Sequence, residues 1–130
     1  MKVHLAAQPE RREAMVRIAR RLEEAGHTVT SRWIHGNGSG ATAVENAMYE
    51  LADVMAANCV VVFTDNPKAR PRLGSSAGRQ VEFGYGLRAR KRLIIIGPLE
   101  SIFCRLPEVE RARNVSRLID LLSRSGGATP

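Results

Sequence analysis

The stretch GSSAGRQVEFGYG, residues 74–86, sets one acid, Glu82, among glycines, serines and an aromatic pair. Ser75, Ser76 and Gly78 are of the types that open a helix around an anion. Free backbone N–H groups at a helix start, with the helix dipole behind them, attract a phosphate or carboxylate, and a serine hydroxyl adds a donor. Glu82 falls about one turn further in. On the inward face of that turn it would point into the same crevice as the anion; as an ordinary helix glutamate it would point into water. Gly78, Gly84 and Gly86 favour the inward reading, because each costs a helix about 1 kcal/mol unless something must come close.

The elements that must position these groups follow from the hydrophobic pattern. KVHLAA (2–7) is a short apolar strand. Pro9 then opens a helix carrying Met15, Ile18, Ala19, Leu22 and Ala25 at helical spacing and closed by Gly26. HTVTSRW (27–33) alternates like a second strand, and HGNGSGAT (35–42) is a glycine-rich loop. Val44, Ala47, Met48, Leu51 and Met55 mark a second amphipathic helix with that apolar stripe toward the core. CVVVF (59–63) and RLIIIG (92–97) read as buried strands, with a loop over 64–76 and a helix of about 77–90 between them. VERAR (109–113) suits an edge strand, and Asn114 could cap a last helix bearing Val115, Leu118, Ile119 and Leu122.

Strands alternating with helices, the central ones apolar on both faces, predict an α/β fold: a flavodoxin-like (Rossmann-like) doubly wound parallel sheet of five strands in the order 2-1-3-4-5. In such sheets ligands bind beyond the carboxyl ends of the strands, at the switch point between strands one and three. The loops starting at Ala6, Trp33 and Thr64 therefore matter most.

At 130 residues and 44% hydrophobic, the chain is expected to form one domain over 1–130, with 125–130 as a flexible tail. It has no apolar run long enough for a membrane span, and its start turns charged by Glu10, which argues against a signal peptide and for a cytoplasmic protein. Cys59 and Cys104 lack the spacing of a zinc site or redox pair and read as reduced thiols; no metal or cofactor is expected. The net charge of +7 is scattered over helix faces and ends without interleaved aromatics. That pattern suits a solvated basic surface, and after it a small anionic ligand, rather than a nucleic-acid polymer or a membrane.

Three segments together, VHLAA, YELADVMAANCVVVF and SSAGRQVEFGYGLRARKRLIIIGP, resemble the nucleoside 2-deoxyribosyltransferase superfamily, and within it the short phage-type members. That superfamily includes both nucleoside transferases and nucleoside 5′-monophosphate N-glycosidases. The resemblance covers nearly the whole chain, and Glu-Phe-Gly-Tyr with its upstream glycine is its most specific part. It implies that Glu82 is the nucleophile that attacks the anomeric carbon and forms a glycosyl-enzyme ester. Six residues before the nucleophile, the transferases carry an Asp for the sugar 5′-hydroxyl and the monophosphate hydrolases a Ser for the 5′-phosphate; here that residue is Ser76. His4 stands where the family often has a Tyr bonded to the nucleophile, and imidazole can orient Glu82 in its place. Glu50 stands where the family often has an Asp that meets the leaving base, and it keeps the capacity to protonate a ring nitrogen. The resemblance also implies a homodimer or larger assembly in which a neighbouring subunit completes the site.

Other residues add to this picture from their chemistry alone. Gln8, at the end of strand one, could donate to a phosphate, with Arg11 or Arg12 adding charge. Trp33 could stack on a base, and reads equally as core. Asp53 and Asp65 fall near the expected crevice, as helix acid and turn former or as ligand contacts. Lys68, Arg70 and Arg72 form a basic loop, solvated or closing over a nucleotide. The expected function is hydrolysis of a nucleoside 5′-monophosphate to free base and pentose 5-phosphate, with water as second acceptor. Beside it stand exchange of deoxyribose between bases, and a non-catalytic nucleotide-binding module on the same fold.

Overall fold

Side chains that alternate in direction along strands buried on both faces decide which helix covers which face. The structure, a computed structural model, describes residues 1–36, 42–64 and 77–125. Strands β1 (Lys2–Ala6), β2 (Thr28–Val29), β3 (Cys59–Phe63), β4 (Arg92–Ile96) and β5 (Val109–Ala112) form one parallel sheet in the order β2-β1-β3-β4-β5. Val3, Leu5, Cys59, Val61, Phe63 and Ile94 pack under α1 (Arg12–Glu24) and α4 (Val115–Ser125) through Met15, Ala19, Leu22, Leu118 and Leu122. The intervening Ala6, Val60, Val62, Leu93 and Ile95 face α2 (Ala43–Ala56) and α3 (Ala77–Arg88) through Val54 and Phe83. Period-two alternation places His4 on that second face, with Ala6. The order and the helices on both faces are those expected of the doubly wound fold. None of the helices is long and apolar enough to cross a membrane, among the described residues.

Helix boundaries follow local chemistry. Pro9–Arg11 forms a 3₁₀ turn before α1, and Gly26 at φ +94° closes its far end. A capping box starts α2: the Thr42 hydroxyl accepts from the Glu45 N–H at 3.1 Å, and the Glu45 carboxylate accepts from the Thr42 N–H at 3.2 Å. Asn114 Oδ1 accepts from the Arg117 N–H at 2.9 Å to cap α4. The tail expected from 125 begins at the last residue of α4, and 126–130 lie outside the described residues. Both cysteines are free and buried, and burial pushes the Cys59 thiol up to about 12.

Two expectations are corrected. The second strand, expected over 27–33, is only Thr28–Val29. The Thr30 N–H still donates to Val3 O at 2.8 Å, but the Leu5 N–H turns to the Ser31 hydroxyl at 3.1 Å, and Arg32–His35 is a 3₁₀ turn. Asp53 accounts for the departure: its carboxylate accepts the Arg32 backbone N–H at 3.0 Å and the Arg32 Nε–H at 2.9 Å, holding the backbone off the sheet edge. The second correction concerns α2. Val44, Met48 and Met55 were expected in the core and are exposed, Met48 to 63%. The inward side carries Asn46, Glu50, Leu51, Asp53 and Val54, so the helix turns two acids toward the sheet beside its apolar residues.

Gly97 shows how tightly the carboxyl ends of β3 and β4 are joined. Its φ is +117°, and a Cβ there would lie 2.3 Å from Thr64 Oγ1 and 3.2 Å from Thr64 O. Gly97→Ala combines backbone strain with a clash against buried Thr64 and is expected to destabilise by about 2–4 kcal/mol, read as a lowered midpoint in denaturant. A midpoint equal to wild type would show that this junction yields freely.

Candidate active site

His4 and Glu82 meet on the face between the sheet and α3. His4 is fully buried (0% exposed) and Glu82 is 5% exposed; His4 Nε2 lies 3.0 Å from Glu82 Oε1. His4 Nδ1 has no hydrogen-bond partner among the described residues. The geometry therefore fits the Nε2–H tautomer, in which the imidazole donates to the carboxylate and leaves only a lone pair unmet. Glu82 is turned inward because its neighbour Phe83 inserts into the core against the sheet and Gly86 lets α3 approach closely: a Cβ on Gly86 would lie 3.0 Å from Val60 Cγ2. Among the described residues, Gly78 and Gly84 have open space where a Cβ would stand, so close packing there explains only the third glycine.

Glu50, on the inward stripe of α2, is half-buried. Burial first, and then the Glu82 charge, push its carboxyl above the ordinary carboxylate range; Asp53 adds to this, and His4 opposes it. Two carboxyl groups thus share one region with unlike surroundings, one taking an imidazole hydrogen bond and the other driven toward its protonated form. The raised value has a consequence for stability. A folded-state value above the unfolded one contributes stability at low pH that is lost as pH rises through it. Glu50→Gln is therefore expected to raise the melting temperature at neutral pH and to leave it unchanged below 4.5, the ordinary value of the group. A melting temperature lowered at neutral pH would show that the charged carboxylate is stabilised there.

The structure distributes the remaining site candidates unevenly. Gln8 stands at the end of β1, in extended conformation, with no side-chain bond to the 3₁₀ turn that follows. Arg11 sits in that turn, its guanidinium 5.5 Å from the centre of the Phe63 ring, which places a cation at the carboxyl ends of β1 and β3, the switch point of the sheet. Arg12 is exposed, with Nη1 over Gly36. Trp33 is not brought to an open face: it is buried in the larger core cluster, and its ring N–H donates to Leu5 O at 2.7 Å. Asp53 is a clamp on Arg32, whose guanidinium also lies 4.6 Å from the centre of the Tyr49 ring. Gly78 is exposed in the first turn of α3, where the backbone N–H groups lack helical partners. Ser75, Ser76, Asp65, Lys68, Arg70 and Arg72 lie outside the described residues.

Sequence reasoning missed one buried group. Arg79, one turn before Glu82, is 1% exposed and pairs with Glu100, which follows β4: Nε donates to Oε1 at 2.8 Å and Nη2 to Oε2 at 2.5 Å. The signal was its i, i+3 spacing from Glu82, which puts both on one helix face.

Among solved structures, the chain is similar to a CMP N-glycosidase, BcmB, from Clostridium botulinum. The two superpose with a TM-score of 0.65 at 16% identity, over 95% of this chain and 99% of that one, a likeness of fold. No family model and no curated protein matches the sequence.

Proposed function

We propose that the protein hydrolyses the N-glycosidic bond of a nucleoside or deoxynucleoside 5′-monophosphate. One observation carries this reading: a buried carboxylate, Glu82, with one oxygen 3.0 Å from an imidazole nitrogen, beside a second carboxyl, Glu50, pushed toward its protonated form. That is the division of labour that cleavage at an anomeric carbon requires. The Glu82 carboxylate attacks C1′ as the C1′–N bond breaks. The bond's electron pair leaves on the base, which takes the proton of Glu50. Water then attacks C1′ and gives a proton to the Glu50 carboxylate; the ester bond breaks, Glu82 regains its charge, and pentose 5-phosphate departs. His4 keeps one Glu82 oxygen engaged throughout, leaving the other to react.

The phosphate end of the substrate belongs, in this reading, to Ser76, Ser75, Gly78 and the N–H groups at the start of α3, with Gln8 and Arg11, which follow β1, adding a donor and a charge. The likeness of fold to a CMP N-glycosidase agrees with that substrate class. Product analysis on a panel of monophosphates and nucleosides tests it. Free base with pentose 5-phosphate supports hydrolysis. Base exchange alone would move the reading to deoxyribosyl transfer, and unchanged substrate to a binding module.

The working form is proposed to be a homodimer. Val44, Met48 and Met55 on α2 and Val81 and Tyr85 on α3 expose apolar side chains on two helices that pack together on one side of the sheet, a surface that a second copy could cover. Met48→Glu is expected to shift the molar mass in solution from dimer toward monomer. An unchanged dimer, or a monomeric wild type, would contradict this.

A further inference from the structure

The helix that carries Glu82 is a weak one. Gly78, Gly84 and Gly86 stand among the 12 residues of α3, so helix propensity alone does not hold its first turns in place. Tertiary contacts must do so, and among the described residues two polar ones stand out beside the packing on α2 and the sheet. Glu82 meets His4 on β1, and one turn earlier Arg79 reaches Glu100 in the segment between β4 and the 3₁₀ turn at Ile102–Arg105. Glu100 takes donors from two consecutive residues of α3: Arg79 through Nε and Nη2, and Gln80 through Nε2 at 3.2 Å. The Arg79 side chain is fully buried, and Glu100 is mostly so. A bidentate pair of this kind fixes direction as well as distance.

We propose that Arg79 and Glu100 are a positioning pair for the nucleophile: they lock the first turn of α3 so that Glu82, three residues on and on the same face, stays against His4. The proposal rests on the nucleotide glycosidase reading for its kinetic consequence, but its structural consequence stands apart from any activity. Neither residue is assigned a contact with substrate. Their effect passes through the backbone of α3 to Glu82, whose attack geometry tolerates little displacement.

The test replaces both charges together, Arg79→Met with Glu100→Met, since an apolar pair of similar bulk commonly preserves stability where a single replacement strands a buried charge. Three quantities are read: cooperative thermal unfolding, kcat and KM on the best monophosphate, and the exchange with water of the His4 Nε2–H proton, followed by long-range proton–nitrogen NMR. The double variant is expected to unfold cooperatively, to lose kcat on the order of a hundredfold with KM little changed, and to exchange the His4 proton more than about tenfold faster. A folded double variant with wild-type kcat and wild-type exchange overturns the proposal. Where wild type cleaves no nucleotide, the glycosidase reading fails and the exchange measurement alone decides the positioning role. Glu100→Gln, which keeps one acceptor, serves if the double variant does not fold: faster His4 exchange supports the pair's role, and unchanged exchange overturns it.

Discussion

Glu82→Gln is expected to fold as the wild type does and to lose glycosidic cleavage by several orders of magnitude. The fold survives because the amide oxygen can still accept from His4 Nε2, which lies 3.0 Å from the native carboxylate, and because an amide fills the same space among the same neighbours. It also removes a carboxylate charge next to the half-buried Glu50, easing the pressure that drives the Glu50 carboxyl upward. Activity does not survive, since an amide is a poor nucleophile and cannot form the glycosyl ester through which the reaction is proposed to run. Steady-state rates on a monophosphate, measured beside the melting temperature, check both halves. Retention of more than about a tenth of wild-type kcat would mean that Glu82 is not the attacking group.

Ser76→Asp is expected to reverse substrate preference. Wild type should favour a monophosphate over its nucleoside by well over tenfold in kcat/KM, because a charge-assisted hydrogen bond contributes about 1.5–3 kcal/mol and a phosphate at a helix start gains more than one. Aspartate there repels the phosphate but can accept from a 5′-hydroxyl, so the nucleoside should become the better substrate. Both proteins would be assayed on a deoxynucleotide and its nucleoside at matched ionic strength. A wild type that favours the nucleoside, or a variant with unchanged preference, would move the account to deoxyribosyl transfer.

The central strands were legible because burial on both faces leaves an unbroken apolar run, as in CVVVF, and the alternation of strands with helices left few topologies for a five-stranded parallel sheet. The helix ends were legible where a side chain caps the backbone, as at Asn114. The inner face of α2 was not. Periodicity finds the apolar stripe of a helix and assigns it to the core, whereas α2 leaves Val44, Met48 and Met55 outward and turns Glu50 and Asp53 inward beside Leu51 and Val54. The second strand failed for a related reason: its alternation is real, but a long-range pairing of Arg32 with Asp53 takes the backbone away.

At the site, the inward turn of Glu82 could be read from the glycines around it, although only Gly86 proves to be required by close approach to the sheet. His4 could be placed on a face only once the strand register was known, since a shift of one residue would bury Leu5 there instead. Trp33 illustrates the limit: a single tryptophan near a predicted crevice gave no sign that its ring N–H would be taken by Leu5 O. Arg79 was passed over because an arginine in a basic chain reads as surface, and its partner, Glu100, lies 21 residues away along the chain.

The most direct measurement is the configuration at C1′ of the sugar product when the protein cleaves a β-configured deoxynucleoside 5′-monophosphate in the presence of methanol, read by NMR on the methyl pentoside 5-phosphate. Attack by Glu82 followed by attack of the alcohol inverts twice, so the account predicts the β-methyl pentoside, formed by wild type and absent with Glu82→Gln. The α-methyl pentoside would show a single displacement by solvent and contradict the role of Glu82; no cleavage at all would contradict the proposed activity itself.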